Sequence, residues 1–141
     1  MGDAEKSLRN ARIMHLVFVL AAFSHLLVPL KFVTGNSQAP SNAIVAAFGF
    51  VAATNLGLAI FFRSRQVSSA SEALKRNAED AAALQQWRKG VLLSFVFCES
   101  IILFGLALRF TLVPWKVCGI FYAVGVLFLL AWAPKLELPP E

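Results

Sequence analysis

Charge is scarce in this chain, and acid is scarcer still. Of its 141 residues 15% are charged, eight acidic against thirteen basic. Most of them fall between long apolar runs, which excludes a soluble domain with a mixed-charge surface. Cysteine is nearly absent too. Cys98 and Cys118 both lie inside apolar runs, so they form neither a disulfide scaffold nor an exposed redox pair and read as small packing residues. The two histidines, His15 and His25, are separated by about 15 Å along one helix and cannot share a metal ion. Each offers at most one axial ligand to a separate haem, and no cofactor is expected. No HExxH, GxSxG, phosphate-loop or haem-attachment sequence is present, so no enzyme activity is expected. The polar-apolar alternation of a membrane barrel is missing as well.

What is present is hydrocarbon. The chain is 58% hydrophobic with a mean hydropathy of +0.69. Crossing a bilayer takes about 20 apolar residues as helix, and the sequence offers such stretches at 13–33, 43–62, 90–113 and 117–133. Each must satisfy its own backbone where there is no water. The expected fold is therefore all-α: a single polytopic membrane domain over residues 1–141, built as a four-transmembrane-helix bundle. The first run is longer than a signal-peptide core and Ala21-Ala22-Phe23-Ser24 is no A-x-A cleavage site, so it counts as a span.

Lys6, Arg9 and Arg12 precede the first span, and Arg63, Arg65, Lys75, Arg76, Arg88 and Lys89 lie between the second and third. By the positive-inside rule both termini and the 63–89 segment are cytoplasmic, and a bacterial cytoplasmic membrane is the expected location. The pI near 9.7 suits contact with anionic lipid headgroups. Nucleic acid is not an expected partner, because the basic residues are spread out and mixed with Glu72, Glu79 and Asp80.

The 63–89 segment carries helix signals. Ser69-Ala70-Ser71-Glu72 has capping-box spacing, and Asn77-Ala78-Glu79-Asp80 looks like a second start. One helix or two short ones are expected there, running into the third span and offering a surface to a soluble partner. Trp87, Trp115 and Trp132 sit at span ends, as headgroup anchors do. The outer loop 34–41 is short and polar. Small residues recur at four-residue spacing, Gly49, Ala53 and Gly57 in the second span and Gly90, Ser94 and Cys98 in the third. Such stripes let helices approach closely, so these two spans are expected to pack as a tight hairpin.

Glu99 is the residue that needs explaining. It is the lone acid in the 90–113 run, and a carboxylate at bilayer depth costs roughly 2.5–3.5 kcal/mol, so intramembrane acids often mark an ion or proton site. At about 1.5 Å per residue, Glu99, Asn55, Ser24, His25 and Tyr122 all lie roughly 11–18 Å from the inner boundary and can share one height. Asn55 lies opposite the Gly49/Ala53/Gly57 stripe, so it meets a different neighbour if that stripe packs on the third span. His15 falls in the first turn of its span and reads as interfacial.

The stretch Cys98-Glu99-Ser100-Ile101-Ile102-Leu103-Phe104-Gly105-Leu106 resembles the outward-running helix of the rotor-ring subunit c of rotary ATP synthases, where a mid-membrane acid is followed six residues later by Gly-Leu. The resemblance covers the hairpin 43–113. It implies that Glu99 is a proton- or sodium-binding carboxylate, that Gly105 is a packing residue and that copies assemble. The sequence departs from that family in its longer cytoplasmic loop, in Gly49-Phe50-Val51-Ala52 where alternating glycines stand, and in two further spans. Two functions remain open. One is proton or cation handling with Glu99 alternating between neutral and charged forms. The other is a non-enzymatic accessory or scaffold subunit, in a homo-oligomer or larger membrane complex, with Glu99 as a structural hydrogen-bonding residue.

Overall fold

The computed structural model describes residues 2–32 and 42–136, and every regular element among them is a helix. The outer loop 34–41 lies outside the described residues. Helix α1 spans Asp3–Phe32, α2 Asn42–Phe62, α3 Ser68–Arg76, α4 Ala81–Phe110 and α5 Trp115–Ala131, with a π-helical turn, Arg63–Val67, joining α2 to α3. The α1 helix and α4 are long and apolar enough to cross a membrane, as is the continuous helical stretch that begins with α2, whereas α5 is shorter at 17 residues.

Helix α4 is the axis, with α1, α2 and α5 all packed against it. Contacts fix the directions. Ser7 meets Arg88, His15 and Phe18 meet Phe95, and His25 meets Glu99, so α1 and α4 run parallel. Phe48 meets Phe104, Asn55 meets Ser100 and Phe62 meets Phe97, so α2 runs antiparallel to α4. The α5 helix also runs antiparallel to α4, with Gly105 near Cys118 and Gly125 near Cys98. The outside is apolar: Ile13, Leu16, Val17, Leu20 and Leu27 of α1 are 56–63% exposed, a face that water does not tolerate.

Local signals explain the ends of α4. Asp80 is its N-cap, its Oδ1 accepting the Ala83 N–H at 3.0 Å, the usual way a short acid satisfies an orphan donor. At the far end the Val113 N–H donates to the Leu108 carbonyl at 3.3 Å and the Leu112 N–H to the Arg109 carbonyl at 3.0 Å. This is a Schellman pair, and it puts Leu112 at φ 62°, a position usually held by glycine. Pro114 then opens α5.

Four expectations need correction. The helix of the second span does not stop at residue 62: the chain stays helical to Arg76 through the π turn, in which the Ser68 N–H reaches the Arg63 carbonyl. The Ser69–Glu72 capping box is therefore unused, because its residues lie inside a continuing helix, and the Ser69 hydroxyl donates to the Arg65 carbonyl instead. Trp87 is no headgroup anchor. It is fully buried, in the core to which α3, folded back against α4, adds Ala70 and Leu74. The Gly49/Ala53/Gly57 stripe does not seat α2 on α4, since side chains added at Gly49 and Gly57 would meet nothing within 4 Å. Asn55, on the other face, makes that contact.

Candidate functional site

The parallel course of α1 and α4 carries His25 to Glu99. The imidazole Nδ1 lies 2.7 Å from Glu99 Oε1, with the two side chains 27% and 11% exposed. The contact is close but off the axis of an aligned hydrogen bond, and Oε2 is buried without a hydrogen-bond partner among the described residues. Carboxylate and imidazole thus face each other in a low-dielectric interface, where their attraction is far less screened than in water. His25 is tied down from behind. The Tyr122 hydroxyl of α5 donates to the His25 carbonyl at 3.2 Å.

Two glycines put Tyr122 within reach. A side-chain carbon at Gly125 would fall 2.4 Å from Ile102 Cγ1 and 2.9 Å from the Cys98 carbonyl. One at Gly105 would fall 3.1 Å from the Cys118 carbonyl and 3.2 Å from Tyr122 Cδ2. Only hydrogen fits at Gly125, so α5 lies close on α4 there and its tyrosine reaches across to α1. Gly90 plays the same part at the charged end, where an added carbon would lie 2.9 Å from both Gln66 Cβ and Val67 Cγ2 of the π turn.

Of the side chains expected to share a site with Glu99, only His25 reaches the carboxylate. Asn55 Nδ2 donates to Ser100 Oγ at 2.7 Å, and that hydroxyl donates to the Phe97 carbonyl at 2.7 Å. Ser100 follows Glu99 directly and projects about 100° around the helix, so Asn55 binds a different face of α4. Ser24 is exposed, its hydroxyl returned to the Ala21 carbonyl at 2.7 Å. Ser94 is buried and bonds the Gly90 carbonyl at 2.8 Å, while Cys98 is buried where α5 crosses. Among the described residues no group of three or more histidine, cysteine or acidic side chains gathers to hold a metal.

Sequence reasoning missed other polar contacts. His15, in the first turn of its span, is engaged between helices: its Nε2 donates to the Leu129 carbonyl at 2.8 Å and its ring packs 5.1 Å from Phe95. Arg63 donates to the Trp132 carbonyl at 3.2 Å, so a histidine and an arginine satisfy carbonyls at the C-terminal end of α5, where positive charge is favoured. Arg109 is buried, donates to the Val113 carbonyl at 3.1 Å and stacks 5.3 Å over Trp115. Cations and tryptophans near helix ends were the available signal, but their pairing depends on a turn whose geometry hydropathy does not report. No protein-family model matches this chain, and neither does any curated protein or solved structure.

Proposed function

We propose that this protein is a four-span membrane protein, with both termini and the α3 region in the cytoplasm, that takes up and releases a proton at the Glu99–His25 pair. The observation that carries the reading is the 2.7 Å approach of the imidazole to a carboxylate buried where α1 meets α4. The pair is electrically balanced with one proton shared between an acid and a base. Losing that proton leaves an unbalanced carboxylate, and gaining another leaves an unbalanced imidazolium. Each step is costly at membrane depth unless water reaches the site, so proton occupancy is coupled to access. The pair suits a proton better than sodium, because a hard cation needs several oxygen ligands and an imidazole faces Oε1. Asn55 and Tyr122 are tied elsewhere, Asn55 through its Nδ2 to Ser100 and Tyr122 through its hydroxyl to the His25 carbonyl, and Ser24 is exposed.

The test is proton and sodium flux into proteoliposomes holding wild-type, Glu99→Gln or His25→Gln protein, with oligomeric state measured on the same samples. Proton flux that either substitution abolishes at unchanged assembly is the expected result. Absence of flux in the wild type sinks the reading and favours an accessory subunit. One observation favours that second reading: His25 joins α1 to α4 through its ring and to α5 through its carbonyl, as a purely structural residue does. In that case both variants assemble less well and no flux is found in any sample.

A further inference from the structure

We propose a second site, distinct from the Glu99–His25 pair: a binding site for an anionic phospholipid between α1 and α4 at the charged end of the bundle. A cavity of about 480 Å³ opens there, lined by Ser7, Asn10 and Met14 of α1 and by Arg88, Lys89 and Leu92 of α4, with no acid in its wall. That volume lies within the range of small-molecule sites.

Its height is set by two sequence transitions. The α1 helix passes from Lys6, Arg9 and Arg12 into apolar residues at Ile13, and α4 passes from Arg88 and Lys89 into apolar residues at Val91. Because the helices run parallel with Ser7 beside Arg88 and His15 beside Phe95, both transitions fall at one level, and the cavity straddles it. Its charged half faces the level of lipid phosphates. Its apolar half, Met14 and Leu92, continues onto exposed Val17 of α1 and Val96 of α4, a surface for an acyl chain.

The charged half is held in place. Arg88 donates through Nε and Nη2 to the Ser7 hydroxyl, which itself donates to the Asp3 carbonyl, so the guanidinium is fixed at the wall. A planar guanidinium beside an ammonium suits a phosphate diester, and Asn10 offers an amide to a headgroup hydroxyl. The nearest acids in sequence, Asp3 and Glu5 on α1 and Glu79 and Asp80 before α4, lie on the side away from the apolar half and do not line the cavity. Basic pockets between spans at the cytoplasmic face are suited to anionic headgroups on general electrostatic grounds. The commitment is to a lipid rather than a soluble phosphate, because half the wall is apolar. The proposal rests on the membrane reading and not on the proton reading.

The experiment is native mass spectrometry of the full chain released from nanodiscs of phosphatidylcholine alone or mixed with phosphatidylglycerol. Reconstitution in pure phosphatidylcholine tests the membrane reading separately. Wild-type protein is expected to retain phosphatidylglycerol over phosphatidylcholine by about tenfold or more, and R88Q/K89Q to lose that preference. R88K/K89R is expected to keep most of it, and R65Q/R76Q, which removes equal charge outside the cavity, to leave it unchanged. Equal loss in R65Q/R76Q would reduce the effect to general surface charge and overturn the site. Displacement of the lipid by millimolar glycerol phosphate would identify a free-phosphate site and overturn the lipid assignment, and retention without headgroup preference overturns both.

Discussion

The glycines of α2 and those of the α4–α5 contact have opposite surroundings. Gly49 and Gly57 carry a four-residue small-residue rhythm and face open space, whereas Gly105 and Gly125 carry no such rhythm and are pressed against a neighbouring backbone. Burial follows the same divide: half of the most apolar window of α4 is buried, against 11% in the helix that begins with α2. A small side chain permits close approach but does not cause it. A neighbour has to be placed there, and α5, tied to α4 by a four-residue turn, is placed by its connection.

Substitutions can break this comparison. The largest expected effect is at Gly125→Ala, where the new carbon collides with Ile102 and the Cys98 carbonyl; thermal unfolding in detergent should show a loss of about 2–3 kcal/mol, as for overpacked cores. Gly105→Ala should cost about 1–2 kcal/mol, since its contacts begin at 3.1 Å and neighbours give slightly. An unchanged midpoint for Gly125→Ala would show that α5 lies farther from α4 than described. Asn55→Ala comes next, at about 0.6 kcal/mol, the average worth of an interhelical hydrogen bond in a membrane. A double-mutant cycle with Ser100→Ala should recover that coupling, and additivity would dissolve the α2–α4 bond. The smallest effect belongs to Gly49→Ala and Gly57→Ala, expected to be neutral or to stabilise by up to about 1 kcal/mol through helix propensity. Marked destabilisation at either would mean that a partner covers this face of α2.

The same comparison extends to the candidate site. Glu99 and Gly105 carry the rotor-like resemblance, yet each is engaged by a helix outside the 43–113 hairpin, Glu99 by α1 and Gly105 by α5. The carboxylate stood out because it is an isolated acid in an apolar run, and His25 as a neighbour because it lies at a matching depth. Depth left His25, Ser24, Asn55 and Tyr122 equivalent, although only one touches the carboxylate. The choice was made by rotation about each helix axis: Ser24 and His25 differ by one residue, and that step of about 100° sends one outward and the other to Glu99. Trp87 was misread for a related reason, since a tryptophan before two cations looks like an anchor until tertiary packing buries it in the core that α3 joins.

Sequence by itself determined that this chain is helical and where its apolar stretches lie, and it marked a helix start at Asn77-Ala78-Glu79-Asp80, of which Asp80 is the cap of α4 and Asn77 instead ends α3. Those properties follow from local rules: a backbone without water must bond to itself, and an aspartate before an alanine-rich run satisfies an orphan N–H. Tertiary structure alone decided which faces meet, that α2 runs through a π turn into α3, and that His25 rather than Asn55 pairs with Glu99. The physical reason is that lipid tails and neighbouring helices are equally apolar, so hydropathy points to no inner face. The faces are then selected by shape and a few hydrogen bonds, which exist only after the helices have packed.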